Sequence, residues 1–247
     1  MGLCEKICAM DKQQNIQVVI LAAGKGTRML PLTETKPKPM QLVSGRNLIE
    51  WKLEALPEET KEVIIVVGYQ GEQIEKYFGD EWRGFGAKMR IKYVHQEELN
   101  GTAGALWAAK DLIHDRFLVM MGDDLYARED ILKMTKQDLA VCVTQVAQKE
   151  IGGEMLANPD GTFKSIQEEK HFVETGLMNT GMYILDRRIF DHEPVAIGGS
   201  SKELGLPHTI VSLAKADPVA MVHASKWLQV TTPEDLLTAE DFVRDNA

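Results

Sequence analysis

The chain has 247 residues, 44% of them hydrophobic and 26% charged, with a formal net charge of -9. That length suffices to bury a substantial core in one large domain, and the composition is that of a soluble globular protein, not a disordered one. The acidic balance argues against nucleic acid or an anionic membrane as the main partner, because a polyanion would be repelled.

The chain opens Met-Gly-Leu-Cys-Glu-Lys-Ile-Cys-Ala-Met, without the apolar stretch or cleavage site of a secretory leader. The expectation is a tail over 1–16, one domain over 17–247 and a cytoplasmic location. The longest apolar run near the start, Val18 to Ala23, falls far short of the ~20 residues that span a membrane. Three cysteines, Cys4, Cys8 and Cys142, cannot all pair within a monomer, which suits a reducing compartment. Cys4 and Cys8 make a poor zinc site, since Asp11, Lys12, Gln13 and Gln14 follow where two further good ligands are needed.

Val18 to Leu21 predict a buried strand that runs into a glycine-rich basic loop, Gly24-Lys25-Gly26-Thr27-Arg28-Met29-Leu30-Pro31-Leu32-Thr33, closed by Lys36-Pro37-Lys38-Pro39-Met40. Gly24 and Gly26 lack the Cβ atoms that keep a ligand from backbone amides. Four cations (Lys25, Arg28, Lys36, Lys38) stand against one anion (Glu34), and a bound polyphosphate would neutralise that reversal of the overall charge. A dinucleotide fingerprint is excluded because Met29 stands where its last glycine belongs, and no P-loop string occurs.

Further along, the spacing predicts a helix over 47–56, a strand over 61–68, a short helix over 71–78, a strand over 88–94, a helix over 101–113 and a strand over 117–121 ending at Gly122-Asp123-Asp124. This βαβαβαβ order implies a Rossmann-like three-layer α/β/α fold with a mostly parallel central sheet and ligands at the carboxyl ends of its strands. Less regular strands follow over 139–147, 182–185 and 219–224, with a turn at Asn158-Pro159-Asp160-Gly161 and a helix over 202–216. A last helix is expected to start at Thr232-Pro233-Glu234-Asp235, with Thr232 as N-cap.

The basic loop resembles the signature of the sugar-phosphate nucleotidylyltransferases, matching at both glycines, Thr27-Arg28, Pro31-Leu32-Thr33 and Pro37-Lys38-Pro39. That resemblance extends from Val18 to Glu240. It implies an enzyme joining a nucleoside triphosphate, UTP or dTTP favoured, to a sugar 1-phosphate with release of pyrophosphate. Arg28 would hold the β- and γ-phosphates and Lys38 would sit by the α-phosphate, while Lys25 and Lys36 are either phosphate contacts or solvated lysines. Leu21, Ala23, Gly24, Gly26 and Thr27 would complete the nucleotide loop. Asp123 would be a catalytic ligand for the cofactor Mg²⁺, with Asp124 turned toward ribose, sugar or solvent; a metal-free Gly-Asp-Asp turn is the alternative.

Gln96 and Asn100-Gly101-Thr102-Ala103-Gly104-Ala105 resemble the family's base-recognition segment, with Gln96, Gly101 and Thr102 as its contacts: a glutamine amide both donates and accepts, and helix amides would begin near Thr102, although the same string also suits a closely packed helix. His95 adjoins it. Gly153, Glu169, Lys170, Asn179 and Thr180 would bind the sugar, although His171 replaces the proline usual after that lysine. Two residues after Trp227, many members carry an acidic metal ligand; here stands Gln229, a neutral and weaker one. Two alternatives stay open. One is CTP-dependent transfer to a phosphorylated alcohol such as phosphocholine; the other is a regulatory subunit that binds a nucleotide sugar without turnover. The sequence leaves homo-oligomer formation open.

Overall fold

A computed structural model describes residues 16–84, 87–148, 150–168, 172–198 and 202–245. In chain order the strands are β1 (Gln17–Ala22), β2 (Leu42–Val43), β3 (Arg46–Asn47), β4 (Glu62–Val67), β5 (Glu81–Gly84), β6 (Ala87–His95), β7 (Phe117–Met121) and β8 (Asp124–Tyr126). They continue with β9 (Ala140–Val146), β10 (Glu150–Ile151), β11 (Glu154–Ala157), β12 (Phe163–Gln167), β13 (Phe172–Val173), β14 (Gly176–Leu185), β15 (Ala220–His223) and β16 (Trp227–Gln229). The helices are α1 (Leu48–Ala55), α2 (Gly71–Phe78), α3 (Thr102–Ala108), α4 (Arg128–Met134), α5 (Leu206–Ala214) and α6 (Asp235–Arg244).

Every residue of β1 is buried because the strand lies inside a 10-stranded sheet, flanked in parallel by β4 and β7. β4 pairs in parallel with β6 on its far side. Successive residues of β1 feed two cores, as the strand period of two requires. Val19 and Leu21 pack with Ala103 and Leu106 of α3 and Ile210 and Leu213 of α5. Val18 and Ile20 pack with Ile49 and Leu53 of α1, Ile74 of α2 and Ile131 of α4. The sheet is therefore covered on both faces, the three-layer α/β/α arrangement that the alternating pattern implies.

The second half joins this parallel unit through antiparallel strands. β14 pairs antiparallel with β7, β9 and β11, and β12 closes that edge. The expected turn at Asn158 to Gly161 connects β11 to β12, with Gly161 N–H donating to Asn158 O at 2.9 Å. Among the described residues no helix is long and apolar enough to cross a membrane.

Three expected elements come out differently. The stretch 202–205 is not helical: Leu204 bridges Ala196, its N–H donates to Asn100 O at 2.6 Å, and the helix begins only at Leu206, where Pro207 suits the first turn. The helix over 101–113 breaks into α3 and a 3-10 turn at Lys110–Leu112. Thr232 does not cap α6 with its hydroxyl. Instead the Asp235 carboxylate reaches back to accept the N–H groups of Thr231 and Thr232, both at 2.7 Å.

Candidate active site

The loop after β1 folds into three single 3-10 turns, Thr27–Met29, Leu32–Glu34 and Lys38–Met40. Gly26 is demanded twice over: its φ is +62°, and a Cβ there would lie 2.8 Å from Lys38 Cβ. Thr33 Oγ1 donates to Gly26 O at 3.0 Å, and the fully buried Met29 anchors the loop against Val43, Leu48 and Val230. Its far end is held by three glutamines. Gln70, Gln73 and Gln41 donate to the carbonyls of Glu34, Thr35 and Lys36 at 2.8, 2.9 and 2.9 Å. A loop tied this way keeps its cations in place before any anion arrives.

Lys38, 6% exposed, donates its ammonium to Asp123 Oδ2 at 2.5 Å across 85 residues of sequence. Asp123 stands just beyond β7, at the carboxyl edge where the fold places ligands. Behind it lies Lys52, fully enclosed, donating to Gly122 O at 3.0 Å and Leu48 O at 3.2 Å. Burial pulls the Lys52 ammonium down from its ordinary range, opposed by Asp123 and Asp124. Burial likewise pushes the Asp124 carboxyl up, reinforced by Asp123 and opposed by Lys52 and Lys38. Asp124, expected to face ribose, sugar or solvent, is 3% exposed and so does not face open solvent; it accepts from Trp227 Nε1 at 3.2 Å and lines the same cavity as Asp123. β16 pairs with β8 so that Gln229 lies opposite Asp124, which carries Gln229 to the same edge as Asp123.

Gln96 follows β6 and is 8% exposed, with its N–H donating to Val67 O at 2.8 Å. Its amide nitrogen donates to Asn100 Oδ1 at 3.0 Å and to Gly101 O at 3.1 Å. Of the helix amides expected near Thr102, the Ala103 N–H is taken by Leu204 O at 3.0 Å, and the Thr102 hydroxyl oxygen accepts from Leu206 N–H at 2.9 Å. Gly101 has φ +104°, and a Cβ there would lie 2.5 Å from Leu204 O, so the neighbouring chain already accounts for this glycine. His95 is a surface residue whose Nε2 meets Glu75 at 2.6 Å.

A cavity of about 720 Å³ gathers much of this. Leu21, Ala23, Gly24, Lys25, Gly26, Thr27, Arg28 and Lys38 line one side, Gln96, Gly101 and Thr102 another, and Asp123, Asp124 and Gln229 a third. Lys36 does not line it. A second, more apolar cavity of about 630 Å³ lies beside α1, between Trp51 and Phe242, away from the basic loop.

Of the sugar-side residues, Gly153, Asn179 and Thr180 do not line the main cavity. Thr180 is 1% exposed and donates to Cys142 O at 3.0 Å, which sets its hydroxyl in the core. Asn179 Nδ2 donates to Tyr183 Oη at 2.8 Å, and Gly153 O accepts from Asn179 N–H at 3.1 Å. Glu169 and Lys170 lie outside the described residues, as do Cys4 and Cys8. Lys52, Lys202 and Glu203 escaped the sequence reading. Lys52 left a signal, because it sits one turn after Leu48 on the face that also buries Ile49 and Leu53. Lys202 and Glu203 line the cavity from a stretch expected to be helical.

The family model described as nucleotidyl transferase matches residues 17–246. This chain belongs to the nucleotidyl transferase family. Within it, the chain is 30% identical over 231 residues to the bifunctional protein GlmU of Methanocaldococcus jannaschii, covering 93% of this chain and 55% of that protein. It is 30% identical over 240 residues to the UTP–glucose-1-phosphate uridylyltransferase AglF of Haloferax volcanii, covering 93% and 97%. The chain thus spans about half the length of the GlmU relatives it matches and nearly all of AglF. A solved UDP-glucose pyrophosphorylase in complex with UDP-glucose shares the fold, with a TM-score of 0.74 at 24% identity over 95% of this chain and 100% of that one.

Proposed function

We propose that this chain is a sugar-1-phosphate nucleotidylyltransferase that takes UTP or dTTP and a sugar 1-phosphate and releases an NDP-sugar and pyrophosphate. One observation carries the reading: a tied-down loop of three cations, a strand-end carboxylate and a buried amide face one cavity of about 720 Å³. A sugar phosphate oxygen attacks the α-phosphorus, a new P–O bond forms, and the bond to the β-phosphate breaks. Such a step is governed by positioning and charge more than by proton transfer. Arg28 neutralises the β- and γ-phosphates as they leave, and Lys38 meets the charge at the α-phosphate.

Mg²⁺ is the proposed cofactor, held by Asp123 and the Gln229 amide oxygen. The donor set fits an ion that keeps most of its water and takes the rest of its ligands from substrate phosphates: one carboxylate 31% exposed and one neutral amide, with no group of three His, Cys, Asp or Glu converging among the described residues. When bound, the ion supplies positive charge to phosphate oxygens. Without substrate, the Lys38 ammonium partners Asp123. The buried, free Cys142 supports a cytoplasmic setting.

The test is pyrophosphate release with Mg²⁺ across a grid of nucleoside triphosphates and sugar 1-phosphates, with phosphocholine as a further acceptor. The expected result is release confined to a uridine or thymidine nucleotide with a sugar 1-phosphate and abolished by a chelator. Release only from CTP with phosphocholine would replace this reading. Nucleotide binding without release anywhere on the grid would make the chain a binding subunit.

A further inference from the structure

Lys52 is 2% exposed, and its ammonium donates to two backbone carbonyls, Gly122 O at 3.0 Å and Leu48 O at 3.2 Å, rather than to a carboxylate. An enclosed ammonium is costly, and on a helix face that also buries Leu48, Ile49 and Leu53 a leucine or methionine would pack without that cost. The carbonyl that it meets belongs to the turn between β7 and β8, on the residue before Asp123. We propose that Lys52 is a positioning residue: with Lys38 it clamps the Gly122-Asp123 turn, and it alone keeps the Asp123 carboxylate at the cavity once Lys38 is drawn away to phosphate. The inference rests on the nucleotidyl-transfer reading for what draws Lys38 away and for the Mg²⁺ that Asp123 would hold.

The turn is gripped from several sides. Gly122 N–H donates to Leu21 O at 2.8 Å, and a Cβ on Gly122 would lie 2.8 Å from that same oxygen and 3.0 Å from Ala22 Cα, so the chain is pressed against the end of β1. Lys38 Nζ reaches Asp123 Oδ2 at 2.5 Å, and Lys52 Nζ reaches Gly122 O. Both lysines belong to the segment that runs from the last 3-10 turn of the basic loop into α1. The start of α1 is fixed by a reciprocal cap: Asn47 Oδ1 accepts Glu50 N–H at 3.0 Å, and Glu50 Oε2 accepts Asn47 N–H at 2.7 Å. An enclosed ammonium on the second turn of a capped helix has little freedom to follow a ligand.

The two lysines differ in what they can do next. Lys38 lines the nucleotide cavity, so a phosphate oxygen can take the place of Asp123 at its ammonium. Lys52 does not line that cavity; it stands behind the turn, toward the second one beside α1. Once Lys38 leaves, the neighbouring carboxylates Asp123 and Asp124 repel each other without it, and an unanchored turn is free to carry Asp123 off its place. The Lys52 ammonium, whose burial penalty Asp123 and Asp124 offset, supplies a fixed positive charge behind both and a hydrogen bond that sets the peptide after Gly122. A displacement of about 1 Å at a reacting centre is enough to cost about 100-fold in rate.

The experiment compares the full chain with Lys52→Met, which keeps an unbranched side chain and removes its ammonium. Amide hydrogen exchange is followed residue by residue by NMR, without nucleotide or metal, and β4 serves as the internal reference for global opening. Exchange at Gly122 and Asp123 should speed up at least about tenfold more than in β4. In the pyrophosphate assay kcat should fall about 50-fold while KM for the nucleotide stays within about threefold, and the Mg²⁺ needed for half-maximal rate should rise about tenfold. Lys52→Gln retains a neutral donor for Gly122 O, one bond shorter; it should fall between the two, and it carries the comparison if Lys52→Met does not fold. Exchange that rises equally in the turn and in β4 makes Lys52 a packing residue and overturns the proposal. So does turn exchange within about twofold of the parent, or a loosened turn with kcat unchanged. Because exchange needs no substrate, a loosened turn in a chain whose parent is silent in the pyrophosphate assay would sink the reaction and leave the clamp standing.

Discussion

From β7 through β1 and β4 to β6 every neighbouring pair is parallel, and the loops leaving these strands converge on one cavity. From β14 outward to β9, β11 and β12 the pairs are antiparallel, and the polar residues of interest there are tied into the sheet. Asn179 bonds Tyr183, and Thr180 bonds the carbonyl of Cys142 on the paired strand. The difference follows from connectivity. Parallel strands need helical crossovers, so their carboxyl ends collect at one edge and free their loops for a ligand, whereas antiparallel strands satisfy side chains against one another.

Three substitutions break or sharpen this contrast. Lys38→Ala removes the ammonium beside Asp123, and the expected loss in kcat/KM for pyrophosphate release is about 1,000-fold. A loss below about tenfold would mean that the parallel half does not concentrate the chemistry. Gly26→Ala puts a methyl group 2.8 Å from Lys38 Cβ at a φ of +62°. The expected cost is about 1–3 kcal/mol in stability, read by urea titration, with a drop of about tenfold in kcat as Lys38 is pushed from Asp123. On the antiparallel side, Thr180→Val loses one buried hydrogen bond, so stability should fall by about 1 kcal/mol while KM for the sugar phosphate stays within about twofold. A much larger rise in KM at unchanged stability would put Thr180 on the substrate and erase the contrast.

Legibility in the sequence tracks the same division. Gly71–Phe78 and Phe117–Met121 occupy the ranges that their patterns predict, because each is a short period-3.6 or wholly apolar segment bounded by glycine or polar residues. The basic loop was readable as an anion site because its charge reversal and glycines are local properties. Lys202 to Leu204 misled, because a stretch with helical composition is captured instead by backbone hydrogen bonds to Asn100 and Ala103. For Asp124, strand alternation says which side a residue points to, not that Trp227, 103 positions later, supplies a donor there.

The main βαβαβαβ order of the first half, the three-layer fold class, the phosphate-type loop and Asp123 at a strand end were determined by the sequence alone, since each rests on periodicity or on residues adjacent in the chain. Only the tertiary structure decided that Lys38 meets Asp123, that Lys52 lies enclosed beneath Gly122, and that Asn100 and Gly101 take both amide hydrogens of Gln96. Those facts depend on distances between side chains brought together by the sheet, and on which polar groups find partners once water is excluded. Neither quantity is written in local order.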